Sequence, residues 1–202
     1  MKITISPYNP DWVTQFNAIK EELQLLLVDF NPKIEHFGST SVPGLAAKPV
    51  IDVLVGLANI HQFDALVQAM QANPRYIYYE AFNSFLPTRR LFVRLKDDVS
   101  LEPFPTLYTD LDSIPHDSIN HARQAHIHVW QYNCPDWIRH IAFRDYLKAH
   151  PAIKQNYQTL KQQLSQQEWE HGMAYSDAKN AFIQKEEAKA IEWYRHQKSS
   201  SE

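Results

Sequence analysis

A short polar segment, Gly38-Ser39-Thr40, stands between two apolar stretches and carries residue types that bind phosphate. Glycine lets backbone amides approach an anion, and the neighbouring hydroxyls add further hydrogen-bond donors. The chain has only four glycines, and Gly38 and Gly44 are two of them. The segment does not match the GxxxxGK[ST] phosphate loop, so a tight turn capped by Ser or Thr stays open as the alternative.

A single carboxylate, Asp52, lies inside the apolar stretch VIDVLV at 50–55. Side chains alternate between the two faces of a strand, so Asp52 and Leu54 share one face. A buried carboxylate is costly unless it meets a metal ion, a cation or several hydrogen-bond donors. Asp52 could therefore meet a metal ion, and the alternative is a salt bridge to a strand arginine or to Lys48.

Two further segments are predicted to be strands with basic side chains on one face. Arg90 and Arg94 alternate with apolar residues, and so do His126 and His128. Same-face neighbours lie about 6 to 7 Å apart along a strand, so the histidines could hold a metal ion or contact a phosphate. Zinc needs further ligands, and the sequence has no HExxH motif to supply them. We expect these basic residues to share an anion-binding pocket with Asp52; the alternative is a solvated face with cross-strand pairs.

The composition disfavours several classes of partner. Twenty basic and 23 acidic residues give a net charge of −3, without a run of Lys or Arg that would indicate nucleic-acid binding. The single cysteine cannot form an internal disulfide, and the first residues lack the pattern of a secretion signal. No apolar run approaches the roughly 20 residues that cross a bilayer. We expect a cytoplasmic protein without a membrane partner.

The hydrophobic periodicity predicts the elements that position these residues. Helices are predicted over 12–30, over 63–70 and, three in number, after residue 134. Strands are predicted at 34–37, 50–56, 90–95 and 126–130. Residues 97–120, rich in Asp, Pro and Ser, show no period and predict a long loop.

These elements predict an α/β (α+β) fold in which a mixed β-sheet is flanked by helices and followed by a C-terminal helical segment. We expect an α/β core over 1–133, a helical segment packed on that core over 134–198, and a disordered tail at 199–202.

Four segments in this order resemble the GrpB family of bacterial proteins: HFGSTSVPGLAAKPVIDVLV, HIHV, FRDYLKAHPAIKQNYQTLK and YSDAKNAFI. The resemblance starts near Tyr8 and Trp12 and runs to about Ile183, which is nearly the whole chain. It implies the nucleotidyltransferase superfold, in which a Gly-Ser turn holds a nucleoside triphosphate and strand carboxylates bind magnesium.

On this resemblance Asp52 is the catalytic carboxylate and the magnesium ligand, and Gly38, Ser39 and Thr40 contact phosphate. Further candidates for binding the substrate's phosphate are Lys48, Arg90, Arg94, His126, His128, Lys161, Tyr175 and Lys179. The lysines of the C-terminal helices have the alternative of being simply solvated. Leu54 stands where the superfold has a second carboxylate, so a magnesium ion here would lose an oxygen ligand.

Three hypotheses for the function follow. The first is an enzyme that transfers a nucleotidyl or related phosphoryl group with magnesium as cofactor. The second is a non-catalytic module that binds a nucleotide or another phosphorylated small molecule. The third is a structural or partner-binding role of the helical tail. The sequence leaves open the identity of the base, the acceptor and the oligomeric state.

Overall fold

The computed structural model describes residues 2–170 and 172–199. The helices are α1 (Asp11–Leu26), α2 (Phe63–Gln71), α3 (His116–Ala122), α4 (Pro135–Ala149), α5 (Pro151–Ser165), α6 (Gly172–Asp177) and α7 (Asn180–Ser199). The strands are β1 (Lys33–Phe37), β2 (Ile51–Leu57), β3 (Tyr76–Tyr79), β4 (Arg90–Leu95), β5 (Leu107–Tyr108) and β6 (Arg123–Gln131). Short 3₁₀ turns connect several of them, including one at Ser39–Ser41.

The six strands form one mixed sheet in the order β1-β2-β6-β4-β3-β5. Strand β6 is parallel to β2 on one side and antiparallel to β4 on the other, and β3 pairs antiparallel with β4 and parallel with β5. Most residues of β2 are fully buried, as expected for a strand covered on both faces. The predicted fold class, a mixed sheet with flanking helices, is confirmed.

Three details differ from the sequence-based prediction. The region 97–120 is not one long loop, because it contains β5 and α3. Strand β3 was not predicted, because its four residues YIYY are all buried and show no alternation. The part of the chain after residue 134 that the structure describes contains four helices and not three, since α6 and α7 are separate.

The described residues group into two compact units that interleave along the sequence. Of the described residues, the helical unit comprises 2–12, 37–49, 138–170 and 172–199, and the sheet unit comprises 13–36 and 50–137. The predicted domain boundary near residue 134 stays a prediction. Of the predicted disordered tail, Ser199 ends α7, and 200–202 lie outside the described residues.

The sheet unit has an apolar core between β3, β4, β5 and α3. Its buried members are Ile77, Tyr79, Val93, Leu95, Tyr108, Ile114, Ile119 and Ala122. At Gly56 in β2 a side chain is sterically excluded, since an added Cβ would lie 2.6 Å from the Trp137 ring. The sheet therefore depends on both apolar burial and a close backbone approach.

The segment 37–49 packs against helices of the helical unit. Val42 and Leu45 of this segment pack with Leu147 of α4 and Tyr157 of α5 in a buried cluster. Pro151 begins α5, where its missing amide hydrogen costs no intrahelical bond. Helices α4 and α5 thus hold the glycine-containing segment in place. No helix within 2–170 or 172–199 has the length and apolar character to cross a membrane.

Candidate functional site

In the sheet unit, Asp52 of β2 lies beside two histidines of β6. The strand register pairs Asp52 with His126 and Leu54 with His128, so all four side chains belong to one face of the sheet. The His126 Nδ1 atom is 3.2 Å from the Asp52 carboxylate, and the two imidazole rings are 6.1 Å apart between centroids. Both members of the Asp52–His126 pair are about three-quarters buried, with exposures of 29% and 27%. The hydrogen-bond partner of Asp52 is therefore the His126 imidazole.

The predicted placement of Arg90 and Arg94 beside Asp52 is wrong. Arg94 pairs with Ala125 across the β4–β6 ladder, whereas Val93 pairs with His126. Because neighbouring residues point to opposite faces, both arginines lie on the face that Asp52 and the histidines do not use. The sequence showed that the arginines share a face, but not which face of the sheet it is.

Arg94 has a structural environment on its own face. It is 6% exposed, and its guanidinium donates to Glu22 of α1 at 2.7 Å and to Asp97 at 3.0 Å. Arg90 donates to the carbonyl of Pro87 and forms an ion pair of 3.5 Å with the exposed Asp64. Phosphate binding by either arginine stays a prediction. The contacts of Arg94 indicate that its side chain stabilises the sheet unit.

Arg123, which the sequence analysis missed, belongs to the face of Asp52. At the β4–β6 ladder Arg94 pairs with Ala125 but Leu95 pairs with Arg123, so Gln124 is an extra, bulged residue. The bulge turns Arg123 to the face of His126. Burial lowers the pKa of Arg123 from its ordinary value, and attraction to Asp52 opposes this effect. No period-two pattern predicts such a position, because the bulge breaks the alternation.

In the helical unit, the Gly38-Ser39-Thr40 segment forms a strained turn. Gly38 has φ 71° and ψ −172°, a conformation that is almost restricted to glycine. The Ser41 hydroxyl donates to the Gly38 carbonyl at 2.7 Å, and Thr40 is buried. Gly38 is therefore required for the backbone path of the turn.

Lys161 of α5 brings a buried positive charge to this turn. Its side chain is 2% exposed, and its ammonium donates to the Ser39 hydroxyl at 3.0 Å and to the Ala46 carbonyl. The same ammonium lies 4.6 Å from the centre of the Tyr157 ring. Lys161 is therefore not solvated, which was the alternative to a binding role, and it contacts Ser39 directly.

Tyr175 of α6 lies between two further lysines of the predicted set. The ammonium groups of Lys48 and Lys179 are 4.5 and 4.4 Å from the centre of its ring. Burial raises the pKa of the Tyr175 phenol to about 12. Among the described residues, the buried Tyr175 hydroxyl has no hydrogen-bond partner. The structure therefore brings Lys48, Tyr175 and Lys179 together, as it does Ser39 and Lys161.

Comparison with known proteins gives a consistent assignment. The sequence model of the family described as GrpB protein matches residues 2–189. The chain is 31% identical over 195 residues to YqkA of Bacillus subtilis, covering 95% of the chain but only 48% of that protein. It is 25% identical over 182 residues to the glutamate-rich protein GrpB of Alkalihalophilus pseudofirmus, covering 90% of the chain and 92% of that protein.

A solved structure extends the likeness to the fold. The crystal structure of GrpB from Enterococcus faecalis has a TM-score of 0.72 and 35% sequence identity to this chain. The match covers 95% of this chain and 99% of the other. On these grounds the chain belongs to the GrpB family.

Proposed function

We propose that the chain binds the phosphate groups of a phosphorylated small molecule, with a nucleoside triphosphate as the class to test first. The proposed site lies in the helical unit, at the turn Gly38-Ser39-Thr40 together with Lys48, Lys161, Tyr175 and Lys179. The observation that carries the proposal is the contact of the buried Lys161 ammonium with Ser39 beside Gly38.

A buried ammonium supports this proposal because burying a charge is expensive. The Lys161 ammonium donates hydrogen bonds to Ser39 and Ala46. These bonds hold the ammonium beside Gly38, whose backbone conformation is almost restricted to glycine. A fixed cation next to a small turn is the arrangement in which a phosphate oxygen gains a short, charge-assisted hydrogen bond.

The positive charge at Tyr175 also supports the proposal. Two ammonium groups within 4.5 Å of the centre of one ring repel each other, and a bound anion would reduce that repulsion. The Tyr175 hydroxyl is a neutral donor below its pKa of about 12, and it has no hydrogen-bond partner among the described residues.

Calorimetric titration with ATP and with inorganic triphosphate, in the presence of a chelator, tests the binding. We expect Lys161→Met to weaken binding by about tenfold or more, since a hydrogen bond to a charged group contributes roughly 1.5 to 3 kcal/mol. The matched control is Lys154→Met, on the same helix, whose ammonium donates to the Pro43 carbonyl of the same segment at 3.0 Å. The affinity of Lys154→Met for ATP and for triphosphate should stay within about twofold of that of the unmodified chain.

Equal affinities of folded Lys161→Met and the unmodified chain would contradict the proposal. Because Lys161 also supports the turn, far-UV circular dichroism must show that the variant is folded. Ser39→Ala serves as a second variant, since it removes one hydroxyl and creates little free volume.

Whether the bound nucleotide reacts is a separate measurement. Nucleotidyl transfer would release pyrophosphate, and the family resemblance implies that Asp52→Asn would abolish this release while the exposed Asp64→Asn would not. Tight binding without pyrophosphate release would identify the chain as a non-catalytic binding module.

A further inference from the structure

The Asp52–His126–His128 cluster of the sheet unit has a donor set that differs from the one expected for magnesium. It offers one carboxylate and two imidazoles, and the ligand atoms all lie within 4.8 Å of one another. Leu54, at the position of the superfold's second acid, is fully buried and apolar. Magnesium takes oxygen ligands in octahedral geometry, so this set fits it poorly.

We propose that Asp52, His126 and His128 form a binding site for a divalent transition metal, with zinc the ion to test first. Imidazole nitrogens suit zinc, iron, nickel and copper, and two histidines with one carboxylate are a recurring three-ligand set. This proposal is independent of the phosphate site, because its residues belong to the other unit.

The geometry supports binding to one ion. The His126 Nδ1 and Asp52 carboxylate atoms are 3.2 Å apart. Ligands bonded to zinc at about 2.0 to 2.2 Å lie roughly 3 to 3.5 Å from each other, so this pair already has the spacing of two ligands. His128 follows two residues later on the same strand and the same face, and its ligand nitrogen lies within 4.8 Å of the other two ligand atoms.

The backbone holds the three ligands on a rigid support. Strands β2 and β6 are neighbours in the sheet interior, and their register fixes Asp52 opposite His126. Sites built on paired strands keep their ligand distances better than sites on loops. The ligand side chains are partly accessible, at 29% for Asp52 and 27% for His126, so an ion can enter from solvent.

Three protein ligands leave at least one coordination position for water or a substrate group. Arg123, which the bulge turns to the same face, adds a positive charge that interacts with Asp52. An anionic group bound to the metal would therefore also be attracted by a guanidinium. The class of ligand that fits is a small carboxylate or phosphate.

Zinc, manganese and magnesium titrated separately into the metal-free, full-length chain test the proposal by calorimetry. We expect zinc to bind with one-to-one stoichiometry, manganese more weakly, and magnesium weakest. His126→Ala, His128→Ala and Asp52→Asn should each lower the zinc affinity by at least about tenfold. The matched control is His61→Ala, an exposed histidine of the same unit, which should leave the affinity unchanged.

Cobalt(II) gives a second readout that needs no variant. Cobalt bound by two imidazoles and one carboxylate in four- or five-coordinate geometry absorbs visible light far more strongly than hydrated cobalt. His126→Gln, which keeps a polar side chain, should lose this absorption while staying folded by circular dichroism.

Two results would overturn the proposal: zinc affinity that is the same in folded His126→Gln and the unmodified chain, or no one-to-one zinc binding by the folded, metal-free chain. The second result would leave the Asp52–His126 contact as an ordinary hydrogen bond, in which the imidazole donates to the carboxylate.

Discussion

The contacts of Arg94 predict that its loss destabilises the sheet unit without affecting ligand binding. In Arg94→Met the stem is kept and the guanidinium is removed. The change deletes two hydrogen bonds to the Glu22 carboxylate, of 3.0 and 2.7 Å, and one to Asp97. It also deletes the hydrogen bonds to the Leu95 carbonyl and to the Gln124 side chain. Arg90→Met is the matched control, since Arg90 lies four residues earlier on the same face of β4.

The expected magnitude follows from the exposure of the partners. Removing one member of a buried ion pair costs about 3 to 5 kcal/mol, because the other charge stays buried. Glu22 is 28% exposed and regains some water, so we expect a loss at or below the lower end of this range, about 2 to 3 kcal/mol. For a chain of this size that loss lowers the melting temperature by about 4 to 12 °C. The partner of Arg90, Asp64, is 91% exposed, so Arg90→Met should cost less than about 1 kcal/mol.

Urea unfolding followed by circular dichroism measures both losses. Glu22→Gln and the double variant complete a thermodynamic cycle, and contact between the two groups predicts a coupling energy of about 1 to 3 kcal/mol. Equal losses for the two arginine variants would refute the reasoning. So would a stable Arg94→Met variant with weakened nucleotide binding, which would return Arg94 to the role that the sequence suggested.

Three further predictions concern single positions. Gly56→Ala should destabilise the chain by about 1 to 3 kcal/mol, since its Cβ would meet the Trp137 ring at 2.6 Å, and a change below about 0.5 kcal/mol in urea unfolding would contradict that contact. Gly38→Ala should cost about 1 to 3 kcal/mol and weaken triphosphate binding in calorimetry, because alanine disfavours φ 71° with ψ −172°; an unchanged affinity would contradict a binding role for the turn. Burial raises the pKa of Tyr175 from 10.0 to about 12, so its contribution to stability is complete below pH 10 and is lost between pH 10 and 12. Tyr175→Phe should therefore flatten the alkaline fall in stability, as measured by urea unfolding at several pH values; the same fall in both chains would contradict the assignment.

The predictability of the fold depended on how regular each pattern was. The alternating part of β6, residues 126–130, was predicted, as was the apolar run of β2, whereas the residues of β6 before the alternation, 123–125, were not. Strand β3 has four consecutive buried residues, and a short apolar run without alternation does not distinguish a strand from other buried segments. Helix α3 is short and polar, and tertiary packing of Ile119 stabilises it more than its own propensity does.

The candidate site could be predicted by residue type but not by orientation. The spacing placed His126 and His128 on one face of their strand, and Arg90 and Arg94 on one face of theirs. Which faces coincide depends on the strand register, and that is set by pairings between residues more than 70 positions apart, such as Asp52 with His126. The contact between Ser39 and Lys161 joins residues 122 positions apart, and no local pattern encodes it.

The central position of β6 has a consequence for synthesis on the ribosome. Its two neighbours in the sheet, β2 and β4, both precede it in the chain. The edges of β2 and β4 that pair with β6 therefore stay without backbone hydrogen bonds until residues 123–131 have left the exit tunnel. Open strand edges are templates for pairing with other nascent chains. Slow translation of residues 123–131 should therefore increase aggregation of the nascent chain, and fast translation should reduce it.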